Sequence, residues 1–218
     1  MKRGNRMKTT WKKMIALGMT AVLACASVCV SAAAFTDVPE DAWYYQTVTA
    51  MTEKGLFAGK GEGLFCPDDT MTKAEFVTVV ARMLYPSEEP ADYAQDYTIW
   101  WDGYYQACVA NGLFKRNELQ YNTMESSIQR QEMALIAVRA MEYLGEDMTA
   151  IQGVSAQIPD FDRIGAYLSP YVEKAYGAGV ILGDQDKNFN PTDFLTRAEA
   201  STVLYRITAP EARKPIAQ

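Results

Sequence analysis

A pattern in residues 55–75 returns 124 positions later with every interval kept. Gly55-Leu56-Phe57-Ala58-Gly59, Phe65-Cys66-Pro67 and Thr72-Lys73-Ala74-Glu75 are answered by Gly179-Val180-Ile181-Leu182-Gly183, Phe189-Asn190-Pro191 and Thr196-Arg197-Ala198-Glu199. A worn copy lies between them. Gly112-Leu113-Phe114 and Gln129-Arg130-Gln131-Glu132 stand 57 positions after their counterparts in the first copy. Matching at this many fixed intervals marks one supersecondary unit used three times. A unit this short buries too little apolar surface to fold alone, so the three copies are expected to share one core.

Each copy carries two helix patterns. The second is the clearer: Phe76, Val79, Val80, Met83 and Leu84 fall at i, i+3, i+4, i+7 and i+8, one face of a helix. Met133, Ile136, Ala137, Ala140 and Met141 repeat it in copy two, and Ala200, Val203, Leu204 and Ile207 in copy three. The first helix carries Tyr44, Thr47, Val48 and Met51 in copy one, and Leu168, Tyr171, Val172 and Ala175 in copy three. Gly55 and Gly179 fall where it should stop, as C-cap glycines. The expected fold is all-α, three tandem helix-loop-helix repeats packed as one pseudo-threefold body. The repeats are assigned to residues 35–86, 92–145 (degenerate) and 158–208. Residues 86–95 and 145–157 read as polar linkers, and residues 209–218 as a disordered tail.

Charge separates residues 1–34 from the rest. They hold six of the 21 Lys and Arg and no acid, so the remainder carries 15 bases against 27 acids. The basic start, the apolar run from Met14 to Val30 and the small residues Ser31 to Ala34 read as a secretory signal peptide. Two alternatives remain: an uncleaved anchor, and lipidation at Cys25 after Val22-Leu23-Ala24. No second run reaches the roughly 18 apolar residues of a membrane span. So acidic a body is poorly matched to nucleic acid, whose affinity comes mainly from phosphate neutralisation. The absence of histidine excludes Ser-His-Asp and Cys-His catalysis and imidazole metal sites. Cys66 and Cys108, in a turn and on a buried helix face, form neither a zinc motif nor a favoured disulfide. No cofactor is expected. Asp184-Gln185-Asp186 resembles the start of a calcium loop but lacks its sixth-position glycine and final glutamate.

The recurring polar and aromatic residues admit two readings each. Thr72 with Glu75, and Thr196 with Glu199, form capping boxes. The cations beside them, Lys73, Arg130 and Arg197, oppose the helix dipole at the first helical position. They either pair with nearby acids or, with the helix N-terminus, form an anion site. The aromatics ahead of each first helix, Trp43, Trp100 and Tyr167, are either core residues or walls on which a sugar ring stacks. Asp37 and Asp160 are turn residues or acceptors for sugar hydroxyls.

Phe35-Thr36-Asp37-Val38, Trp43, Gly55, Gly59, Phe65, Pro67 and Thr72-Lys73-Ala74-Glu75 resemble a bacterial S-layer homology module. Ile158-Pro159-Asp160, Tyr167, Gly179, Gly183, Phe189, Pro191 and Thr196-Arg197-Ala198-Glu199 resemble it equally, and copy two loosely. The resemblance implies a secreted protein held at the wall or S-layer of a Gram-positive-type bacterium. Its implied partner is an acidic, pyruvylated secondary cell-wall polysaccharide linked to peptidoglycan, bound without catalysis. Lys73, Arg130 and Arg197 would face the acid in grooves between modules. Trp43, Trp100, Tyr167, Asp37, Asp160, Gly59 and Gly183 would line those grooves.

Two other classes stay open: an adaptor for an envelope protein, and a small carboxylate-dependent glycan hydrolase. The repeats leave only residues 209–218 for any separate catalytic unit, which weighs against the hydrolase.

Overall fold

In a computed structural model, residues 35–216 are described. The signal peptide and the Cys25 alternative lie outside the described residues. Six α-helices run in order: α1 (Tyr45–Glu53), α2 (Lys73–Leu84), α3 (Asp102–Ala110), α4 (Arg130–Tyr143), α5 (Ser169–Gly177) and α6 (Arg197–Thr208). The fold is all-α; among the described residues there are isolated bridges but no strand. No described helix is long and apolar enough to cross a membrane.

The helix ends follow from local chemistry. Thr72 Oγ1 accepts from Glu75 N at 3.1 Å while Glu75 Oε2 accepts from Thr72 N at 2.8 Å. Thr196 and Glu199 repeat this at the start of α6. Copy two builds the box with Gln129 in place of threonine, Gln129 N donating to Glu132 Oε2 at 3.0 Å. After α1 and α5 the chain turns through Gly55 and Gly179, both at φ +69°, where a side chain would meet steric resistance.

Each first helix packs on a second helix from a different copy: α3 on α2, α5 on α4, and α1 on α6. The backbone closes the same circuit. Ile128 N donates to Met71 O at 2.9 Å, Met71 N to Leu195 O at 3.0 Å, and Leu195 N to Ile128 O at 3.3 Å. One apolar core results, drawing Val48, Phe65 and Phe76 from copy one, Met124, Met133 and Ile136 from copy two, and Val172, Phe189 and Leu204 from copy three, all fully buried. Each buried Phe, Met or Leu side chain contributes about 1.5–3 kcal/mol.

Three segments differ from their sequence reading. The 145–157 linker is not merely polar, because Met148 and Val154 are buried and Val154 lies against Gly177. The 86–95 linker includes a 3-10 turn, Pro90–Asp92, whose Pro90 carbonyl lies so close to Gly103 that a β-carbon would not fit. Residues 209–216 do not hang free. Arg213 forms a two-pronged ion pair with Glu146 at 2.5 and 2.7 Å, and Lys214 N and Ile216 N donate to Gly179 O and Gly177 O. A charge-assisted pair and two backbone bonds outweigh the disordering pull of the two prolines.

Candidate functional site

The recurring cations at the second-helix starts are structural struts. Arg197 Nε donates to Phe65 O at 2.9 Å and its Nη2 to Ala58 O at 2.7 Å, with the guanidinium over the Phe65 ring. Arg130 repeats this one copy along, on Phe189 O and Leu182 O, both at 2.7 Å, and adds Glu199 at 3.4 Å. Lys73, too compact to span two carbonyls, forms an ion pair with Glu132 at 2.6 Å. Burial lowers the pKa of both arginines, against the opposing pull of Glu75 on Arg197 and Glu199 on Arg130.

The helix starts beneath these cations hold no vacant N–H groups for an anion. Lys73 N and Ala74 N donate to Ser126 O and Met124 O of the next copy. Arg130 N and Gln131 N reach Asp193 O and Pro191 O, and Arg197 N and Ala198 N reach Asp69 O and Pro67 O. Of the two buried cations, Lys73 pairs with an acid, Glu132, whereas Arg197 meets carbonyl oxygens rather than a carboxylate. Their position against the helix dipole is offset by partners on the neighbouring copy.

Asp37 and Asp160 are likewise engaged within the fold. Asp37 accepts from Phe65 N at 2.8 Å and Cys66 N at 2.6 Å; Asp160 accepts from Phe189 N at 2.7 Å and Asn190 N at 2.8 Å. Each carboxylate secures a left-handed residue, Cys66 at φ +58° or Asn190 at φ +54°. They hold the loop that buries Phe65 and Phe189. Gly59 and Gly183 belong to the same loops: a β-carbon on Gly59 would lie 2.7 Å from Leu64 O, and one on Gly183 2.8 Å from Lys187 O.

The aromatics behave differently. Trp43, Trp100 and Tyr167 each stand two residues ahead of a first helix and are 65%, 59% and 56% exposed. None is a core residue; the core position falls to Trp101, whose Nε1 donates to Glu125 at 3.3 Å. Three large exposed rings at one register cost hydration and point to contact with something outside the fold.

Trp43 and Tyr167, though not Trp100, share clefts with members of a second set of cations that the repeat alignment already contained. Arg82, Arg139 and Arg206 occupy one register of α2, α4 and α6, and each lines a cleft against the next first helix. Arg82 donates to Tyr104 Oη at 3.2 Å and Arg139 to Tyr171 Oη at 2.9 Å. Where those tyrosines stand, α1 has Thr47, whose hydroxyl lies 3.0 Å from that of Thr202. Arg206 therefore keeps one side-chain bond, to Val180 O at 3.1 Å, and has no ion pair among the described residues. Its cleft, about 260 Å³, gathers Trp43 from copy one, Arg130 from copy two, and Gly183, Glu199 and Arg206 from copy three. An aromatic face beside a guanidinium without an acid partner suits a ring bearing a carboxylate. Among the described residues no cluster of acids and cysteines is placed to hold a metal ion, and Cys66 and Cys108 are free thiols.

The family model of the S-layer homology domain matches residues 34–77 and 157–201, the stretches of copies one and three. An S-layer protein of Bacillus anthracis is 30% identical over 207 residues, covering 89% of this chain and 24% of the relative. An endoglucanase of Bacillus sp. (strain KSM-635) is 27% identical over 180 residues, covering 80% of this chain and 19% of the enzyme. A cellulosome-anchoring protein of Acetivibrio thermocellus is 29% identical over 122 residues, covering 51% and 27%. The chain spans less than a third of the length of each of these relatives.

Proposed function

We propose that this chain is an S-layer homology protein that docks non-covalently on an acidic polysaccharide of the bacterial cell wall, with no catalysis of its own. The carrying observation is the cleft that sets the exposed Trp43 beside Arg206 and Arg130. Trp43 is the stacking wall and Arg206 the carboxylate partner, with Arg130 and Gly183 fixing the floor. A pyruvate ketal on the sugar would supply that carboxylate. The matches to an S-layer protein and a cellulosome-anchoring protein support a place at the cell surface.

An acidic body repels an anionic polymer at long range, so binding has to come from short-range charge-assisted contacts, only modestly weakened by salt. Several weak clefts along one polymer add through avidity.

Co-sedimentation with purified wall sacculi tests this, before and after the accessory polysaccharide is stripped. The protein should pellet with intact sacculi and stay in solution with stripped ones. Trp43→Ala with Arg206→Ala should lower retention about tenfold or more while helical circular dichroism is unchanged. Equal retention on stripped sacculi would overturn the reading.

A further inference from the structure

We propose that Glu118 is a built-in partner for the arginine of the cleft between copies two and three, a carboxylate of this chain holding the donors that an acidic sugar would otherwise take. The inference rests on the reading that these clefts take acidic sugars. It adds that in one of them the arginine is already engaged by a carboxylate of the chain itself.

The geometry is specific. Glu118 Oε1 accepts from Arg139 Nη2 at 2.7 Å and also from the Tyr167 hydroxyl. Its other oxygen accepts from Lys115 N at 2.6 Å. The Glu118 side chain is 2% exposed, although Tyr167 itself is largely exposed. Arg139 and Tyr167 are the copy-two and copy-three members of the recurring arginine and recurring aromatic. One carboxylate therefore joins the two residue types that line the open cleft as Arg206 and Trp43. Arg139 and Tyr167 both line a cleft of about 710 Å³, and Glu118 holds the two of them from within the fold without lining that cleft itself; the acid on its wall, Glu142, is paired with Lys174.

The other copies have no such residue. Fifty-seven positions earlier the chain has Gly61, and sixty-seven later it has Gln185. Neither Arg82 nor Arg206 has an acid within ion-pair distance among the described residues. Copy two diverges most from the repeat, and in its loop an acid has been gained where the pattern elsewhere has none. A ligand carboxylate entering here would have to displace a preformed, tethered competitor that loses little entropy on binding.

The test is an NMR titration of the Arg Nε–H and tyrosine ring signals with glucuronate, with glucose as the uncharged control. The wild-type protein, Glu118→Ala and Glu118→Gln are compared. In the wild type the Arg139 and Tyr167 signals should stay still. In both variants they should move with glucuronate but not glucose, at least about tenfold tighter than in the wild type. If Glu118→Ala loses helicity, Glu118→Gln, which keeps the side-chain volume, decides. An Arg139 response in the wild type as strong as in the variants would overturn the proposal. So would silence at Arg139 in folded variants, whether or not Arg206 responds. Opening at Arg139 with silence at Arg206 in all three proteins would uphold the Glu118 pairing and count against the Trp43–Arg206 site.

Discussion

Arg197 donates to the carbonyl oxygen of Phe65 across 132 positions of sequence, tying the start of the last helix to a loop of the first copy. Its companion bond to Ala58 O spans 139 positions. The even spacing of the repeat thus serves mutual support: Arg130 and Arg197 each satisfy carbonyl oxygens on another copy's loop, and Lys73 pairs with Glu132 of the next copy.

Truncating this strut should be costly. Arg197→Ala leaves two carbonyls without their donor and removes a guanidinium from the Phe65 ring, for a loss of about 2–4 kcal/mol. Arg197→Lys keeps the charge but cannot reach both oxygens, and should fall between. Urea midpoints of the three proteins give the order wild type, Lys, Ala; equal midpoints would refute the strut.

Cys66 sits at φ +58° in copy one, where copy three places Asn190 at φ +54°. Asparagine tolerates the left-handed region better than cysteine. Cys66→Asn should therefore raise stability by roughly 0.5–1 kcal/mol, with the bond from residue 66 N to Asp37 kept. The check is a thermal melt under reducing conditions, in which the variant melts higher.

Gly55 and Gly179 share φ +69° but not their surroundings. A β-carbon at Gly55 meets nothing, whereas one at Gly179 runs into the Lys214 backbone. Gly55→Ala should cost about 1 kcal/mol. Gly179→Ala should cost more and release residues 209–216, which trypsin would then cut faster after Arg213. Equal costs and equal cutting rates would mean that the tail is not seated there.

Acid should weaken the fold through two engaged carboxylates. Burial alone would raise Glu118, but donors from Tyr167, Lys115 N and Arg139 outweigh it and hold the group below its ordinary 4.5. Asp102 is fully buried and is likewise held below its ordinary 3.8 by Asp96 N, Gln106, Tyr121 and Gln95 N, against its desolvation. A depressed carboxylate stabilises fully above its unfolded value and loses that contribution as pH falls through its folded one. Unfolding free energy should therefore drop as pH goes below about 4.5, and Asp102→Asn should flatten the drop. A slope unchanged by that substitution would count against Asp102.

The helices, their caps and the all-α class were legible because periodicity and capping are local. The partners of Lys73, Arg130 and Arg197 were not. The sequence displayed a cation set against a helix dipole, but the oxygens it meets arrive from another copy only when the circuit closes. Exposure of Trp43, Trp100 and Tyr167 was hidden for a related reason: each ring lies two residues outside its helix, where apolar periodicity says nothing about facing. Arg82, Arg139 and Arg206 were visible as an identical residue in all three copies, yet near a helix end a lone arginine looks like solvated charge. The seating of residues 209–216 depended on Glu146, which no local pattern connects to Arg213.

The packing of α1 on α6 imposes an order on synthesis. α1 has its seat on α6, far later in the chain, so α1 stays without its partner until residue 208 has been made. A ribosome halted inside α6 would hold a product in which α1 has nowhere to rest.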